Sequence, residues 1–194
     1  MYQTYDVTPL VKQGDNAIGV TLGDGWYASA LGWQLERWCF GAPPTRFIAQ
    51  LHLKYADGRE DVVVTDESWK RSESPIRRSE LYYGEIYDAR LEQNGWTTAE
   101  YDDTMWKNSL TPETTSSIEF SAQASAPIRV TQEVKPIAIT EPTTGTYVFD
   151  MGQNMVGWVR LKVSGKAGNR VVMRFAEILS DDGTISRDNL RRAE

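Results

Sequence analysis

One stretch of alternating residues with a turn at its centre, RFIAQLHLKYADGREDVVVTD (residues 46–66), predicts a β-hairpin. Its first arm alternates apolar residues with mostly polar ones, and its second arm carries three consecutive valines. A period of two is typical of a strand with one buried face. The two arms flank Asp57-Gly58, a dipeptide favoured at hairpin tips. His52, the single histidine of the chain, falls on the more polar face of the first arm, so we predict a surface histidine rather than a catalytic one.

Other strand candidates, separated by turn residues, extend this pattern along the chain. Long amphipathic segments with helical period are missing from the sequence, and short strands with frequent turns favour antiparallel β-sandwiches. The predicted fold class is therefore all-β. The further candidates are Asn16–Leu22, Gly145–Gly152, Val156–Gly165 and Asn169–Leu179, together with a hairpin at DDGTIS (residues 181–186).

A polar segment followed by an extended, proline-containing one divides the chain. SLTPETTSS (residues 109–117) breaks the strand pattern, and Pro127 and Pro136 stiffen the stretch that follows. We predict a domain at residues 1–110, a connector at 111–139 and part of a second β-sandwich at 140–194. The second unit has too few predicted strands for two sheets, so we expect the chain to be one piece of a larger protein.

Composition and charge disfavour several classes of function. The chain has 194 residues, a formal charge of −6 and a pI near 5.0, which argues against a nucleic-acid partner. Its apolar runs are far shorter than the ~20 residues of a membrane-spanning helix. The N-terminus lacks the features of a secretory signal, and the compartment stays open between the cytoplasm and export. A single cysteine, Cys39, excludes an internal disulfide and a cysteine-based zinc site, and we predict a buried, unreactive thiol.

Aromatic residues cluster with turn residues in LGDGWYASALGW (residues 22–33). Two glycines flank Asp24, which predicts a sharp turn. On an exposed loop, the rings of Trp26, Tyr27 and Trp33 stack on a sugar ring while the carboxylate accepts hydrogen bonds from its hydroxyls. The alternative interpretation is structural: these aromatic side chains fill the end of a sandwich core. The residues alone leave both interpretations open.

A second aromatic and acidic stretch lies at Leu81–Lys107, where tyrosines surround Glu85 and Asp88. Such acids either bind a ligand or are structural, with Arg90 as a candidate partner. Gly95-Trp96, followed by YDDTMW (residues 101–106), predicts an aromatic turn that closes a strand pair. Adjacent residues of a strand point in opposite directions, so Asp102 and Asp103 would make a poor acid–base pair.

Two loops that superficially suggest ligand binding lack the required spacing. Asp181-Asp182-Gly183 has neither the alternating oxygen ligands nor the distal glutamate of an EF-hand. SGKAGNR (residues 164–170) lacks the glycine spacing and the Lys-Ser/Thr pair of a phosphate loop.

Three long blocks, which cover most of the chain, resemble the N-terminal β-sandwich region of bacterial α-L-rhamnosidases. They are YQTYDVTPLVKQGDNAIGVTLGDGWYASALGW (residues 2–33), YGEIYDARLEQNGWTTAEYDDTMW (residues 83–106) and FDMGQNMVGWVRLKVSGKAGNRVVMRFAEILSDDGTISRDNLRRAE (residues 149–194). The resemblance implies a jelly-roll, galactose-binding-like sandwich followed by the start of a second β-sandwich. It also implies a helical barrel, with no counterpart in this sequence, that carries the catalytic acids. It implies an inverting mechanism, which needs two carboxyl groups roughly 6.5–9.5 Å apart. We predict no catalytic residue among residues 1–194.

The resemblance further implies an accessory site for rhamnose and calcium at one end of the first sandwich. Asp24 would bind the sugar or act as a calcium ligand, Trp26 and Tyr27 would stack on the sugar, and Glu85 would accept hydroxyl hydrogen bonds. The full set of predicted carbohydrate-binding residues is Asp24, Trp26, Tyr27, Trp33, Tyr83 and Glu85.

Three functions follow as hypotheses. The first is a non-catalytic accessory part of a glycoside hydrolase that releases terminal L-rhamnose from glycans, with the catalytic domain of the same polypeptide as its partner. The second is a stand-alone carbohydrate-binding module for rhamnose-containing glycans. The third is a structural scaffold without a ligand.

Overall fold

The computed structural model describes residues 1–29, 44–111 and 118–190. Within these ranges the regular structure consists of eight short strands and three single-turn 3₁₀ helices, without an α-helix. The predicted all-β class is therefore confirmed. The chain divides into two units, Met1–Ala126 and Pro127–Glu194. The finer domain boundaries drawn from the sequence stay predictions.

The strands pair in four separate antiparallel ladders, each of two strands among the described residues. The ladders are β1–β2, β3–β6, β4–β5 and β7–β8, and the jelly-roll arrangement of the strands stays a prediction. The strands are β1 (Gln50–Lys54), β2 (Glu60–Val64), β3 (Lys70–Arg71), β4 (Ile76–Glu80), β5 (Gly84–Tyr87), β6 (Lys107–Asn108), β7 (Ala138–Thr143) and β8 (Thr146–Asp150). The 3₁₀ helices are Thr8–Leu10, Ala89–Leu91 and Asp188–Leu190.

The hairpin predicted from residues 46–66 forms as strands β1 and β2, with Lys54 opposite Glu60 at its closed end. The backbone N–H of Tyr55 donates to the Arg59 carbonyl at 2.9 Å, and the Asp57 carboxylate accepts from the Arg59 N–H at 3.0 Å. His52 is exposed beside Gln50, so its predicted surface position is confirmed.

Trp96, Tyr101 and Trp106 lie in the segment that joins β5 to β6, and their rings pack together as an aromatic cluster. The two indole rings stack with centroids 6.4 Å apart, and the Tyr101 ring meets Trp106 edge-on at 5.7 Å. Gln93 holds the cluster together, because its Oε1 accepts from Trp106 Nε1 at 2.8 Å and from the Tyr101 hydroxyl at 3.0 Å. Its Nε2 donates to the carbonyl of Glu73 at 3.0 Å. The predicted aromatic turn is confirmed.

The segment before the aspartate-glycine loop lies directly on this cluster. A Cβ atom at Gly19 would lie 2.9 Å from Cη2 and 3.0 Å from Cε3 of Trp96, with Cζ3 nearer still. Separations of this size are not tolerated between packed carbon atoms. Gly19 therefore permits a close approach that no other residue allows at this position.

Strand assignments from alternation alone were wrong in three places. Asn16–Leu22, Val156–Gly165 and Asn169–Leu179 lie outside every named ladder, although Leu179 makes an isolated bridge with Ile185. Alternation reports a side-chain pattern, whereas a strand also needs a hydrogen-bonded neighbour.

Strand β7 begins at Ala138, near the predicted end of the connector, and pairs with Asp150 of β8. The proline and threonine residues around that start hide the strand pattern in the sequence. The hairpin predicted at residues 181–186 forms as a turn, in which Ser180 N–H donates to the Thr184 carbonyl at 2.7 Å.

Burial is sparse over the described residues. Just two of them are buried, Ala28 and Ser29, at 0% and 1% exposure. In β2 the consecutive residues Val62, Val63 and Val64 are 51%, 44% and 43% exposed, so both faces of the hairpin carry open apolar surface. A two-stranded hairpin is marginally stable by itself. Further apolar cover on the β1–β2 hairpin would therefore stabilise it.

Candidate functional site

The loop at Gly23–Ser29 holds its two aromatic side chains out of the protein. The N–H of Ala28 donates to the Asp24 carbonyl at 3.0 Å, and Gly25 between them has φ +50°, so the predicted sharp turn is confirmed. Trp26 and Tyr27 are 58% and 53% exposed. Trp26 therefore plugs no core within the described residues, and its ring is free to stack on a ligand. Asp24 is half-buried at the base of the turn.

The loop meets the β4–β5 hairpin at Ser79. A Cβ atom at Gly23 would lie 3.4 Å from both Cβ and Oγ of Ser79. Ser79 is the cross-strand partner of Glu85. Paired residues in an antiparallel ladder point to the same face with their Cβ atoms about 5 Å apart. Glu85 therefore extends from the face of the hairpin on which the loop lies.

Tyr83 belongs to a different contact. The guanidinium of Arg78 lies 5.7 Å from the Tyr83 ring centroid and donates to its backbone carbonyl. Neighbouring residues of a strand point to opposite faces, so Arg78 and Ser79 face opposite sides of β4. The structure thus brings Glu85 and the Asp24 loop to one face, and Tyr83 to the side of Arg78. Sequence reasoning missed Arg78 and Ser79, because only the hairpin register aligns them with these residues.

Asp88 is a structural acid paired with Arg90, one of the two alternatives that the sequence left open. Its carboxylate accepts from Arg90 Nε at 2.8 Å and from Nη2 at 2.6 Å, and also caps the 3₁₀ helix Ala89–Leu91. These hydrogen bonds to Arg90 lower the pKa of Asp88 to about 2. Asp88 therefore has a structural role. Glu85, by contrast, forms no ion pair with any described residue.

The remaining predicted turn acids also serve the backbone. Asp102 accepts from the Thr104 N–H at 3.1 Å, and hydrogen bonding to Thr104 lowers the pKa of Asp102. Asp103, in the turn before β6, instead forms an ion pair with Lys70 of β3 at 2.6 Å. In the second unit, hydrogen bonds from Thr184 lower the pKa of Asp182 in the same way.

Calcium fits the described residues poorly at Asp24. Calcium takes six to eight oxygen ligands, several of them usually carboxylates. Across residues 1–29, 44–111 and 118–190, no three His, Cys, Asp or Glu side chains come together as a metal site. Asp24 as a calcium ligand therefore stays a prediction that requires other oxygen donors. Two predicted residues, Trp33 of the sugar site and the thiol of Cys39, lie outside the described residues.

Along the described part of the chain, no helix has the length and apolar character that a membrane crossing requires.

The described residues thus define an all-β region with an exposed aromatic loop beside a hairpin that carries an acid. The family model for the α-L-rhamnosidase N-terminal domain matches residues 1–132, and the model for the bacterial α-L-rhamnosidase concanavalin-like domain matches residues 140–194. This chain belongs to the α-L-rhamnosidase family.

Curated relatives agree with that assignment. The chain is 42% identical over 192 residues to an α-L-rhamnosidase of Streptomyces avermitilis, covering 99% of this chain and 18% of the relative. It is 39% identical over 194 residues to one from Formosa agariphila, covering 98% of this chain and 20% of that protein. The chain thus spans 18% and 20% of the length of these two relatives.

Solved structures extend the similarity to three dimensions. The crystal structure of Streptomyces avermitilis α-L-rhamnosidase complexed with L-rhamnose matches with a TM-score of 0.79 at 41% identity, covering 87% of this chain and 16% of that one. The native α-L-rhamnosidase of Aspergillus terreus matches with a TM-score of 0.81 at 34% identity, covering 99% of this chain and 22% of that one.

Proposed function

We propose that this chain is a non-catalytic accessory region of an enzyme that hydrolyses terminal α-L-rhamnosides. The observation that carries the proposal is the coverage: two rhamnosidase domain models account for residues 1–132 and 140–194, while the chain makes up 18% of its Streptomyces avermitilis relative. The activity in the relatives' names then belongs to the protein as a whole, and the catalytic acids lie in polypeptide beyond this region.

Four aspartates of the described residues have structural rather than catalytic surroundings. Asp88, Asp102, Asp103 and Asp182 each hold a turn or an ion pair. General acid–base catalysis of glycoside cleavage needs two carboxyl groups facing one bond from opposite sides. The carboxylates engaged in turns are held in place by their own backbone and are poor candidates for that task.

The open apolar surface supports a partner within the same polypeptide. The valines of β2 are exposed on both faces of a two-stranded hairpin, and apolar surface gains roughly 25 cal/mol for each Å² removed from water. Packing against further domains of a rhamnosidase would supply this stabilisation. The accessory region would in turn hold the catalytic domain in place.

Hydrolysis of a chromogenic aryl α-L-rhamnoside tests the proposal. The 194-residue chain alone should release no chromophore, whereas the full-length product of the gene should do so. Release by the chain alone, at a rate proportional to its concentration, would contradict a non-catalytic role.

A second candidate function is recognition of rhamnose by the loop at Gly23–Ser29. The supporting observation is that Trp26 and Tyr27 are 58% and 53% exposed in a loop whose Gly23 lies against Ser79, the cross-strand partner of Glu85. An exposed ring offers an apolar surface to a sugar, and a carboxylate without an ion pair is available to its hydroxyls. The loop and the acid then share one small ligand.

Titration with L-rhamnose, followed by tryptophan fluorescence with and without calcium, tests this candidate. The matched control for Trp26→Ala is Trp158→Ala, which removes a tryptophan of similar exposure, 69%, from the other unit. Recognition by the loop predicts a saturable change that Trp26→Ala abolishes and Trp158→Ala keeps. A response that survives Trp26→Ala excludes this loop as the binding site. If no response occurs at millimolar sugar, a structural scaffold without a ligand is the remaining hypothesis.

A further inference from the structure

One exposed turn in the first unit contains the single Asn-Gly dipeptide of the chain, Asn94-Gly95. The turn is closed by the Trp96 N–H, which donates to the Gln93 carbonyl at 3.2 Å, and Gly95 has φ +84°. Neither the Asn94 side chain nor the Gly95 N–H hydrogen-bonds to any residue that the structure describes. We propose that Asn94 is a site of spontaneous deamidation, and that its conversion loosens the aromatic cluster behind the turn.

The reaction needs only water and balances without a redox partner. The Gly95 nitrogen loses its proton to solvent and attacks Cγ of Asn94, forming a C–N bond. The bond from Cγ to the side-chain nitrogen breaks, and that nitrogen takes a proton from solvent and leaves as ammonia. Water then opens the resulting succinimide ring at one of its two carbonyls, which yields aspartate or isoaspartate. A Cβ on the following residue hinders the approach of the nitrogen, and glycine has none.

Hydrogen bonds protect Asn16 from this reaction. The Asn16 amide donates to the carbonyls of Lys12 and Gly14, both at 2.8 Å, and its Oδ1 accepts from the Lys12 N–H at 3.0 Å. Ala17 follows it in the sequence. Turning the Asn16 amide towards the next nitrogen requires all three bonds to break, whereas Asn94 starts unrestrained.

Isoaspartate at position 94 would lengthen the main chain inside a closed turn. The added backbone carbon separates Gln93 from Trp96, the two residues whose hydrogen bond closes it. Trp96 packs so closely on Gly19 that a Cβ there would overlap its ring, and Gln93 Oε1 accepts from Trp106 at 2.8 Å. A small displacement of the turn therefore breaks contacts on both sides. Deamidation also adds a negative charge to a chain whose formal charge is already −6.

Mass spectrometry of the aged chain tests the proposal without any variant. Trypsin releases Asn94 in the peptide Leu91–Lys107 and Asn16 in Gln13–Arg37, and each peptide contains no other asparagine. Incubation at mildly alkaline pH should convert Asn94 at least about ten-fold faster than Asn16, because glycine follows Asn94 and because Asn16 reacts only after local opening of its hydrogen bonds. In denaturing urea this ratio should fall, since Asn16 is released. The proposal is overturned if the ratio of the Asn94 rate to the Asn16 rate is the same in the native and the unfolded chain, or if Asn16 converts first.

The structural consequence has its own readout. Asn94→Gln blocks the fast reaction while keeping an amide in the exposed turn. In the native chain, the near-ultraviolet circular dichroism of the tryptophan cluster should decay together with isoaspartate, which isoaspartyl methyltransferase labels. The Asn94→Gln variant should keep that signal over the same incubation. An equal decay in the variant would refute the link between deamidation and the cluster.

Discussion

Replacing Gly19 by alanine tests the closest contact in the first unit. The new Cβ would lie 2.9 Å and 3.0 Å from two ring carbons of Trp96, with a third nearer still, so either the ring or the chain must move. Forcing an extra carbon into a packed contact typically destabilises by about 1–3 kcal/mol. With a urea dependence of about 2 kcal/mol per molar, the unfolding midpoint should fall by about 0.5–1.5 M.

A double-mutant cycle isolates the cause of this loss. In a Trp96→Ala background the obstructing ring is gone, and the restriction of the unfolded chain makes Gly19→Ala stabilising by about 0.4–1 kcal/mol. The coupling between the two positions should therefore be about 1.5–4 kcal/mol. Urea unfolding followed by the fluorescence of the remaining tryptophans measures all four proteins.

Gly23→Ala is the matched control, since its Cβ would lie at an ordinary 3.4 Å from Ser79. It should shift the midpoint by much less than Gly19→Ala. If Gly19→Ala has the same effect whether residue 96 is tryptophan or alanine, the proposed close contact does not exist in the protein.

Three further perturbations address other interactions of the first unit. Gln93→Ala removes the acceptor shared by two aromatic side chains and should lower the free energy of unfolding by about 1–3 kcal/mol in urea titrations. The pKa of Asp88 is lowered to about 2 in the fold, so its contribution to the free energy of unfolding is present above its ordinary unfolded pKa and is lost as pH falls towards 2. Asp88→Asn should therefore reduce the loss of stability at acid pH in urea titrations. An unchanged acid dependence would mean that Arg90 does not hold the carboxylate. A double-mutant cycle on the partly exposed pair Lys70–Asp103 should give a coupling free energy below about 1 kcal/mol, which 1 M salt reduces. A coupling that does not depend on salt would contradict an ion pair in contact with solvent.

Local features of the fold could be predicted from the sequence because short-range chemistry dictates them. The hairpin around Asp57 follows from alternation on both sides of a turn dipeptide, and it forms with Lys54 opposite Glu60. The turn around Asp102 follows from the tendency of aspartate to accept from a backbone N–H two residues ahead. In such cases the partner lies within a few residues, so the pattern contains it.

Partner choice over long distances could not be predicted. Val156–Gly165 has the alternation of a strand and yet pairs with no described neighbour, whereas β7 pairs despite Pro142 and its two threonines. The same limit applied to the candidate site. Its aromatic residues were evident in the sequence, but nothing there indicated that Ser79 would receive the loop or that Arg78 would hold Tyr83.

The sequence by itself determined the strand-forming periods, the turns and the membership of the rhamnosidase family, because each depends on residue types at short spacings or on long blocks of identity. Only the tertiary structure decided that Gly19 receives the Trp96 ring and that Glu85 shares a face with the Asp24 loop. The physical reason is that a close approach or a cross-strand pair joins residues distant along the chain. Hydrogen-bond register and packing set such contacts, and the spacing of residue types does not encode them.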